Sequence, residues 1–367
     1  MTTPTPQLIR HTYAADVDTP AGRYPLDVSN IVVTLSEDDT AYVSATVTCA
    51  WVSEEVWALM DPRAGHYLRW KVDQWADVNA TQLVGTLPGE RWEDAGEYAR
   101  MVITERDRDH LTRTVTLTCE SRESLLADKI RNATTTVDTG ATTVAALVNW
   151  SLADVFGGEV GPTAWAAIMA STAIPSGDRR VMKQGDTHFD LIRAELDAIA
   201  VRIYDLFGQV WGASLRNSVS GRPPLRLATH DWADGAPADA DPIVFALTER
   251  TSRRDWADGV LIKYDLTASG GSVSYQRSGA GANTKGRVIT RTRPAPADNA
   301  ADALVTRTKQ RGHTFTVTAR ARVTDVHTRA PIEILTRQGT LAGVIRTVRW
   351  DFAAAEMTIT AQTGTDV

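Results

Sequence analysis

The histidines are the residues best suited to acid–base chemistry or metal binding near neutral pH. The sequence has seven of them: His11, His66, His110, His188, His230, His313 and His327. No two are three or four residues apart, the spacing that places two metal ligands on one face of a helix. Carboxylates lie beside imidazoles at His230-Asp231 and at Asp186-Thr187-His188. We interpret His230 as a loop residue and His188 as a residue in the first turn of a helix.

Adjacent carboxylates are a second kind of candidate, because a pair can supply the acid and the base or nucleophile of glycoside hydrolysis. The pairs are Glu54-Glu55, Asp38-Asp39 and Glu93-Asp94. Each pair lies in a predicted turn or loop, where acidic residues are commonly solvated. We therefore interpret all three pairs as surface residues without a catalytic role.

Motifs of known enzyme classes do not occur: the sequence lacks G-x-S-x-G, a P-loop, G-x-G-x-x-G and H-E-x-x-H. The glycines of Gly279-Ala280-Gly281 lie in a Ser/Gly-rich segment without the strand–turn–helix of a dinucleotide site. The sequence thus predicts no enzyme and no cofactor. It also predicts no catalytic, cofactor-binding or metal-binding residues.

The two cysteines, Cys49 and Cys119, lie in the alternating, strand-like segments YVSATVTC and RTVTLTC. They could face each other across a sheet, so a disulfide is one alternative and a pair of buried thiols is the other. We favour buried thiols, because cysteine is a small apolar residue and disulfides are rare in cytoplasmic proteins. Two cysteines without a partner His pair exclude a standard four-ligand zinc site.

The charge is unevenly distributed along the chain. The net charge is −6, yet the segment from Glu249 to Arg349 has 18 Lys and Arg against eight Asp and Glu, an excess of ten, so the remainder carries −16. The basic clusters are Arg250, Arg253 and Arg254, and Arg287, Arg291 and Arg293. Aromatic residues are not interleaved with them as a base-stacking platform requires, so we expect no sequence-specific nucleic-acid binding. Docking on an acidic partner is the other reading of this asymmetry.

Length and hydropathy predict a soluble protein with several domains. A chain of 367 residues can form two or three domains, and no apolar run approaches the ~20 residues that span a bilayer. The N-terminus MTTPTPQLIRHTY lacks the features of a secretory signal, so we expect synthesis in the cytoplasm. Eleven Trp against six Phe is unusual, and we expect most of the tryptophans to pack inside β-barrels.

The first third reads as β-structure, with strands predicted at 31–35, 41–49, 67–72, 82–87, 98–105 and 111–119. The last two strands form a hairpin joined by the charged loop RDRDH. Residues 53–60 predict a short helix capped by Ser53. Strict alternation of apolar and polar residues over 41–49 is typical of a half-buried strand.

The middle third predicts helices and one hairpin. A short helix with Ser121 as N-cap would have Leu125, Leu126 and Ile130 on one side, and a second helix over 142–156 would end at Gly157-Gly158. A third helix would start at Asp186 as N-cap. Its apolar stripe is Phe189, Ile192, Leu196 and Ile199, after which a hairpin turns at Phe207-Gly208.

The last third predicts strands at 225–228, 243–248, 260–266, 314–323, 332–335, 343–350 and 357–362, a helix at 297–311 and a loop or hairpin tip at 269–284. The predicted fold class is therefore α+β, mainly β, with two small β-barrel domains flanking a helical and α+β insertion. The predicted domains are residues 1–120, 121–221 and 222–367.

This order of domains resembles the tail hub proteins of long-tailed bacteriophages, a family that includes baseplate hubs and the N-terminal hub domain of tail-associated lysins. HFDLIRAELDAIAVRIYDLFGQVW is similar to the family's helix and short hairpin, and LTCESRESLLADKIR is similar to the strand and helix after the first barrel. DWADGVLIKYD resembles the strand that opens the second barrel, and residues 301–362, with VIRTVRW, resemble the closing elements.

The resemblance implies a structural minor tail protein of the virion tail tip that forms a homotrimeric ring. Its partners would be the distal tail ring, the tape-measure protein and the tip or receptor-binding proteins. Tape-measure protein and DNA would pass through the ring, and we expect acidic residues of the first two-thirds to line it. Five residues follow the last predicted strand, which implies a hub without a lytic module.

Two other functions remain open at this point. A distal tail protein or receptor-binding adhesin would also be rich in β-structure and Trp. A glycan-active enzyme with a β-sandwich domain is a further alternative, and it would cleave polysaccharide as a monomer.

Overall fold

The computed structural model describes residues 8–77, 82–88, 98–158, 167–174, 177, 180–208, 210–215, 223–229, 241–252, 254, 256–266, 271–279, 285–291, 295, 299–310, 312–323 and 326–363. None of the helices in these ranges has both the length and the apolar character required to cross a membrane.

The elements of the described ranges fall into three groups along the chain. The first group is β1 (Leu8–Thr19), β2 (Gly22–Leu26), β3 (Val28–Ser36), β4 (Val43–Ala50), α1 (Glu54–Leu59), a 3-10 turn (Pro62–Ala64), β5 (Tyr67–Asp77), β6 (Gln82–Leu87), β7 (Ala99–Asp109) and β8 (Thr114–Glu120). The second is α2 (Glu123–Asp128), β9 (Val137–Asp138), α3 (Val144–Phe156), α4 (Ala167–Ser171), β10 (Val181–Met182), α5 (His188–Ala198), β11 (Val201–Leu206) and β12 (Val210–Leu215). The third is β13 (Leu225–Thr229), β14 (Asp241–Thr251), β15 (Gly259–Asp265), β16 (Val273–Gly279), β17 (Gly286–Arg291), α6 (Ala300–Gln310), β18 (His313–Arg320), β19 (Pro331–Thr336), β20 (Gly339–Asp351) and β21 (Glu356–Gln362).

Most strands belong to one 14-stranded sheet that curls into two barrels. In the first barrel β3, β4, β8, β7, β5 and β1 are hydrogen-bonded in that order, and β1 lies against β3 without a ladder between them in the described residues. In the second barrel β19, β13, β14, β18, β21 and β20 form a closed ring, because β20 pairs back with β19. The mainly-β α+β fold predicted from the sequence is confirmed.

The two barrels share one ladder, in which β20 runs antiparallel to β3. Its register pairs Val348 with Leu35 and Trp350 with Val33, and all four side chains are buried. A single buried apolar cluster therefore takes in residues of both barrels. Through this ladder, backbone hydrogen bonds connect the two barrels directly.

Alternation of apolar and polar residues explains why these segments form strands with one buried face. In β4 the apolar side chains Val43, Ala45, Val47 and Cys49 are buried, and the hydroxyl side chains between them are half-buried. Strands β8, β18 and β21 repeat the pattern. Successive side chains point to opposite faces, so each of these strands has a barrel-core face and a polar face.

The helical middle has its own apolar cluster, formed by α2, α3, α5, β11 and β12. As predicted, the stripe of α5 faces this core: Ile192, Leu196 and Ile199 are buried, and Phe189 packs against the cluster. The N-cap of α5 is Thr187, whose hydroxyl accepts from Asp190 N at 3.0 Å, so the assignment of Asp186 as cap is wrong.

Two turns of this region follow their sequence signals. Helix α3 ends at Gly157, which takes the left-handed conformation expected of a C-terminal cap. Phe207 and Gly208 both have positive φ, 56° and 74°, and join β11 to β12. Leu206 pairs with Val210, so the two residues belong to a three-residue hairpin loop, in which a glycine at positive φ is common.

Several local predictions need correction. Ser121 does not cap α2; its hydroxyl accepts from Val43 N at 3.1 Å and fixes the helix start to β4. Ile130 is 58% exposed, because α2 ends before it. The charged residues 106–109 extend β7 instead of forming the loop, and the turn comes at residues 110–113.

The segment between β14 and β18 forms a separate layer. Strands β16, β15 and β17 make a three-stranded sheet, and α6 covers one face of it through Ala301 and Val305. The strand 260–266, which the resemblance places at the opening of the second barrel, is β15 of this sheet. Residues 273–279, predicted as part of a loop, form β16. The domain boundaries after residues 120 and 221 stay predictions.

A buried ionic cluster lies within the middle of the chain and joins the start of α2 to β11. The guanidinium of Arg122 binds the carboxylate of Asp205 through two nitrogens, at 3.0 and 3.1 Å, and both side chains are buried. Asp205 N donates to Glu123 Oε1 at 2.8 Å. Burial raises the pKa of Glu123 to about 7, and the negative charge of Asp205 adds to the effect.

A second set of contacts joins the middle of the chain to both barrels. Arg202, on β11, donates to the carbonyl oxygens of Ser36 and Asp39 at 2.8 and 2.6 Å. The hydroxyl of Thr328, beside the second barrel, donates to Glu37 Oε1 at 2.9 Å and contacts the Tyr42 hydroxyl at 2.5 Å. The loop between β3 and β4 is thus the point at which all three parts of the chain meet.

We expect Leu196→Asp to unfold the helical middle. The side chain is 3% exposed, so the substitution would bury a carboxylate among apolar groups and cost at least ~4 kcal/mol. The control is Arg193→Ala on the exposed side of the same helix, with an expected loss under about 1 kcal/mol. The measurement is denaturant unfolding followed by tryptophan fluorescence. A folded Leu196→Asp variant that fails only to oligomerise would mean that the stripe is an intersubunit surface.

We expect Glu123→Gln to stabilise the protein at pH 8 and to have little effect at pH 5. The pKa of Glu123 is raised in the folded state. The contribution of Glu123 to stability is therefore fully present below pH ~4.5 and is lost as the pH rises through about 7. Gln keeps the acceptor for Asp205 N and removes the buried charge. The free energy of unfolding of the variant should therefore exceed that of the parent by roughly 2–3 kcal/mol at pH 8. Exposed Glu55→Gln should show no such pH dependence. A Gln variant that is less stable than the parent at pH 8 would contradict the prediction.

Candidate functional site

The structure separates the groups that the sequence places near one another. His188 is buried, its Nε2 lies 3.0 Å from Asp154 Oδ2, and its ring stacks on Trp150. Burial lowers the pKa of His188 more strongly than Asp154 raises it. Asp186 instead accepts from the backbone N of Lys183 at 2.9 Å, so Asp186 and His188 do not form a catalytic pair.

The carboxylate pairs also have local partners. Glu54 binds Arg108 at 2.6 Å at the start of α1, where Ser53 is the N-cap as predicted. The backbone nitrogens of Asp38 and Asp39 both donate to Ser36 Oγ. These contacts fit a helix start and a loop, as the sequence predicts. His230, Asp231, Glu93 and Asp94 lie outside the described residues.

Cys49 and Cys119 are buried free thiols on neighbouring strands of the first barrel. Cys49 pairs with Val115 and Cys119 pairs with Ala45, so the two thiols are out of register. Burial raises the pKa of the Cys49 thiol to about 11, so it stays protonated at neutral pH. Among the described residues no group of three or more His, Cys, Asp or Glu side chains could hold a metal ion.

The most extensive regular feature of the surface is a row of hydroxyl side chains that crosses both barrels. We call it the threonine face. It consists of Thr34, Ser44, Thr46, Thr48, Thr114, Thr116, Thr118, Thr248, Thr314, Thr316, Thr318, Thr347, Thr358 and Thr360. All are half-buried or exposed, and all point away from the barrel cores.

The strand order makes this face continuous. Strands β7, β8, β4, β3, β20, β21, β18 and β14 follow one another, each antiparallel to the next. Directly paired residues of neighbouring strands lie on the same face. Thr118 pairs with Thr46 in the first barrel, and Thr318 pairs with Thr358 in the second. The β3–β20 ladder carries the row from one barrel to the other through Thr34 and Arg349.

Between its two ends the threonine face also carries charged residues of both signs, namely Glu120, Arg320, Arg349, Asp351 and Glu356. At the seam between the barrels Arg349 lies 3.8 Å from Asp351, and Asn30 donates to Asp351 at 3.4 Å. The seam is a shallow depression of about 200 Å³. Acidic residues of β7 lie at one end of the face, and Arg250 of β14 lies at the other.

These hydroxyl side chains give the face a hydrated surface. Threonine hydroxyls both donate and accept hydrogen bonds to water, so the face stays hydrated. Its cations between the two ends, Arg320 and Arg349, each lie beside an acidic residue, Glu356 and Asp351, and the face has no large apolar patch that would hold a protein. The side chains are short and β-branched, which favours a strand and leaves few flexible groups above the surface.

Solved structures of phage tail proteins share this architecture. A tail protein from Neisseria meningitidis MC58 is 9% identical with a TM-score of 0.55, over 95% of this chain and 96% of that one. The 43 kDa tail protein of prophage MuSo2 from Shewanella oneidensis is 11% identical with a TM-score of 0.54, over 95% and 98%. Prophage tail protein gp18 from Listeria monocytogenes EGD-e is 10% identical with a TM-score of 0.50, over 96% and 95%. The chain has the fold of phage tail proteins.

The tail-hub resemblance inferred from the sequence is thereby confirmed at the level of the fold. No protein-family model and no curated protein matches the chain. At 8–11% identity the similar structures share the path of the backbone and few side chains, so they say nothing about individual site residues.

Sequence reasoning missed the threonine face, although the signal was present. The segments YVSATVTC, RTVTLTC, HTFTVTAR and EMTITAQ each place a hydroxyl residue at every second position. Their apolar halves identify the strands. Their polar halves form one surface only when the strand order is known, and neighbours such as β3 and β20 are about 300 residues apart in the sequence.

We expect the hydroxyls of the threonine face to contribute little to stability. In the double variant Thr46→Val and Thr118→Val, a β-branched pair replaces a β-branched pair, so the free energy of unfolding should change by less than about 1 kcal/mol. The matched control is Val47→Thr, which buries a hydroxyl in the barrel core and should cost roughly 1–3 kcal/mol. Denaturant unfolding measures both. A loss above 2 kcal/mol in the double variant would assign these threonines a structural role.

Proposed function

We propose that this chain is a structural subunit of a bacteriophage tail, and specifically a tail-tip (baseplate) hub that forms a trimeric ring. The observation that carries the proposal is the threonine face, whose hydroxyls lie on seven consecutive antiparallel strands of a phage-tail fold, with β7 as the eighth strand at its edge. Such a face forms a smooth wall when copies stand side by side around an axis. Tape-measure protein and DNA would pass along this wall.

The wall chemistry fits this role. DNA carries one negative charge for about every 1.7 Å of its axis, so a basic wall would hold it by counterion release. A hydroxyl wall binds its own water and holds neither phosphate nor apolar side chains. We therefore replace the acidic lining expected from the sequence with a neutral one, to which both barrels contribute.

The proposal places the protein at the tail tip of the virion after its synthesis in the host cytoplasm. Its neighbours there would be the distal tail ring, the tape-measure protein and the tip or receptor-binding proteins. We propose no catalytic role, because the described histidines and carboxylates discussed above form local structural contacts.

The decisive experiment measures the mass of the oligomer in solution and the position of the protein in the virion. Light scattering of the purified chain should give a trimer, three times 39.9 kDa, and cryo-electron microscopy should place it as a ring at the tail tip with the threonine face toward the axis. A monomer that cleaves polysaccharide would favour a glycan-active enzyme. A peripheral position that contacts the host surface would favour an adhesin.

We expect cations on the threonine face to impair DNA delivery and to leave assembly intact. The variant is Thr118→Lys with Thr318→Lys, one position in each barrel, and the control is Gln at the same two positions, which adds similar bulk without charge. Tails of the Lys variant should assemble normally but eject DNA more slowly at low salt, because phosphates would be retained at the wall. The measurement is the rate of genome release in virions that carry each variant. Equal rates for the Lys and Gln variants would refute a lining role for this face.

A further inference from the structure

The threonine face ends on β7 in an acidic edge, which we define as Glu105, Asp107 and Asp109. These residues alternate along the strand, are exposed, and pair with threonines of β8. Arg106 and Arg108, between them, turn to the other side and stack on the ring of Trp57 at 4.2 and 4.1 Å. The alternation thus leaves only the acids on the face.

The side of β7 away from β8 faces the turn at Pro62–Ala64, and Arg106 of β7 binds Asp61 there at 3.1 Å. Strand β5 pairs with β7 only as far as Val102, and the described residues contain no strand paired with the remaining half on that side. A groove of about 530 Å³ follows it, between β7 and the turn at Pro62–Ala64. Asp109 accepts from the backbone N of Thr112 at 3.2 Å and from that of Leu111 at 2.8 Å, and these hydrogen bonds lower its pKa.

The opposite end of the threonine face opens into a basic cleft. It lies between the outer wall of the second barrel and the three-stranded sheet and has a volume of about 620 Å³. Its cationic residues are Arg250, Arg254, Lys285, Arg287 and Arg346. Asp38 also lines it, 3.5 Å from Arg346. Arg250 pairs with Thr314 and is exposed, so the cleft continues the threonine face.

The β14 edge beside the cleft is open. In the described residues β13 pairs with β14 only as far as Val244. Arg250 and Thr251 lie beyond that point on exposed strand. The face therefore has an acidic margin at β7 and a basic margin at β14.

We propose that copies of this chain join head to tail, with the acidic edge of one copy docked against the basic cleft of the next. The inference rests on the proposed ring, and it names the surfaces that close it. Two different patches on one chain make a heterologous contact, which closes into a ring when the rotation fits. Eight strands is an even number, so β7 of the next copy would run antiparallel to β14 and continue the alternation.

The partner is argued from charge. The cleft lies in the segment that carries +10, and the rest of the chain carries −16. The same molecule thus supplies the anions that the cleft attracts, at the far end of the same continuous face. Complementary patches of this kind fix orientation and disfavour wrong contacts. DNA is another polyanion that could bind the cleft. The oligonucleotide experiment below distinguishes DNA from a second copy of this chain.

Cross-linking tests the contact directly. Thr116 pairs with Asp107 at the acidic edge, and Thr314 pairs with Arg250 at the cleft. The full-length double variant Thr116→Cys with Thr314→Cys, treated with a flexible bis-maleimide, should give covalent dimers and trimers. Each single variant should give none, because a head-to-tail contact brings unlike positions together. The parent chain is the blank, since Cys49 and Cys119 are buried.

Charge reversal in the Thr116→Cys, Thr314→Cys variant tests whether opposite charges hold the two surfaces together. Glu105→Lys with Asp107→Lys should lower the cross-linked fraction at least about tenfold, and so should Arg250→Glu with Arg254→Glu, because like charges would then meet. All four changes in one chain should restore cross-linking. The control is Asp302→Lys with Glu356→Lys, exposed acids outside the edge, which should leave the fraction within about twofold.

Three results would overturn the inference. Cross-linked dimers from a single cysteine variant would show a contact between like surfaces. A trimer by light scattering that does not cross-link would leave the ring standing and reject these surfaces, whereas a monomer under all conditions would reject the ring as well. Binding of a duplex oligonucleotide that is lost in the Arg250→Glu, Arg254→Glu variant, without cross-linking in the parent background, would assign the cleft to DNA.

Discussion

The ladder between β3 and β20 is the interaction on which the rest of the structure depends. It joins two barrels that are far apart in the sequence, and it does so with backbone hydrogen bonds, which fix both distance and register. A loose linker between the barrels would let their outer faces point in different directions. With the ladder in place, Trp350 and Val33 close a common core, and the polar sides of both barrels become one surface. Arg202 then holds the helical middle against this frame at the β3–β4 loop, and Ser121 accepts a hydrogen bond from Val43 of β4.

The same alternation serves the core and the surface. A strand such as β8 buries Val115, Leu117 and Cys119 and presents Thr114, Thr116 and Thr118 on its other side. A slip of one residue would move the threonines into the core and the apolar side chains to the outside. The buried half therefore fixes the register on which the outer half depends. The composition of the outer half is then free to meet requirements other than stability.

Much of the fold could be predicted from the sequence, because its signals are local. The period of two in residues 41–49, the cap at Ser53, the glycine after α3 and the turn at Phe207-Gly208 each arise within a few residues. The failures are non-local. Asp186 and Thr187 are both good caps, and only the packing of α5 selects Thr187. DWADGVLIKYD has the alternation of a barrel strand, and nothing within it shows that it pairs with β16 and β17 instead. The threonine face escaped prediction for the same reason, since strand order is a property of the whole chain.

The distribution of charge along the face completes the physical argument. Charge that faced a passing polymer would act on it along its whole length, attracting it if basic and repelling it if acidic. Charge at the margins acts mainly over a Debye length of about 8–10 Å, which is the range of a contact between neighbouring subunits. The chain groups acids on β7 and cations around β14, and between them the hydroxyls are interspersed with charges of both signs, such as Arg349 beside Asp351. The net charge of the sequence could not show this separation, because acidic and basic residues on β7 alternate and point to opposite sides. Position on the strand therefore decides what each charge on this face can do.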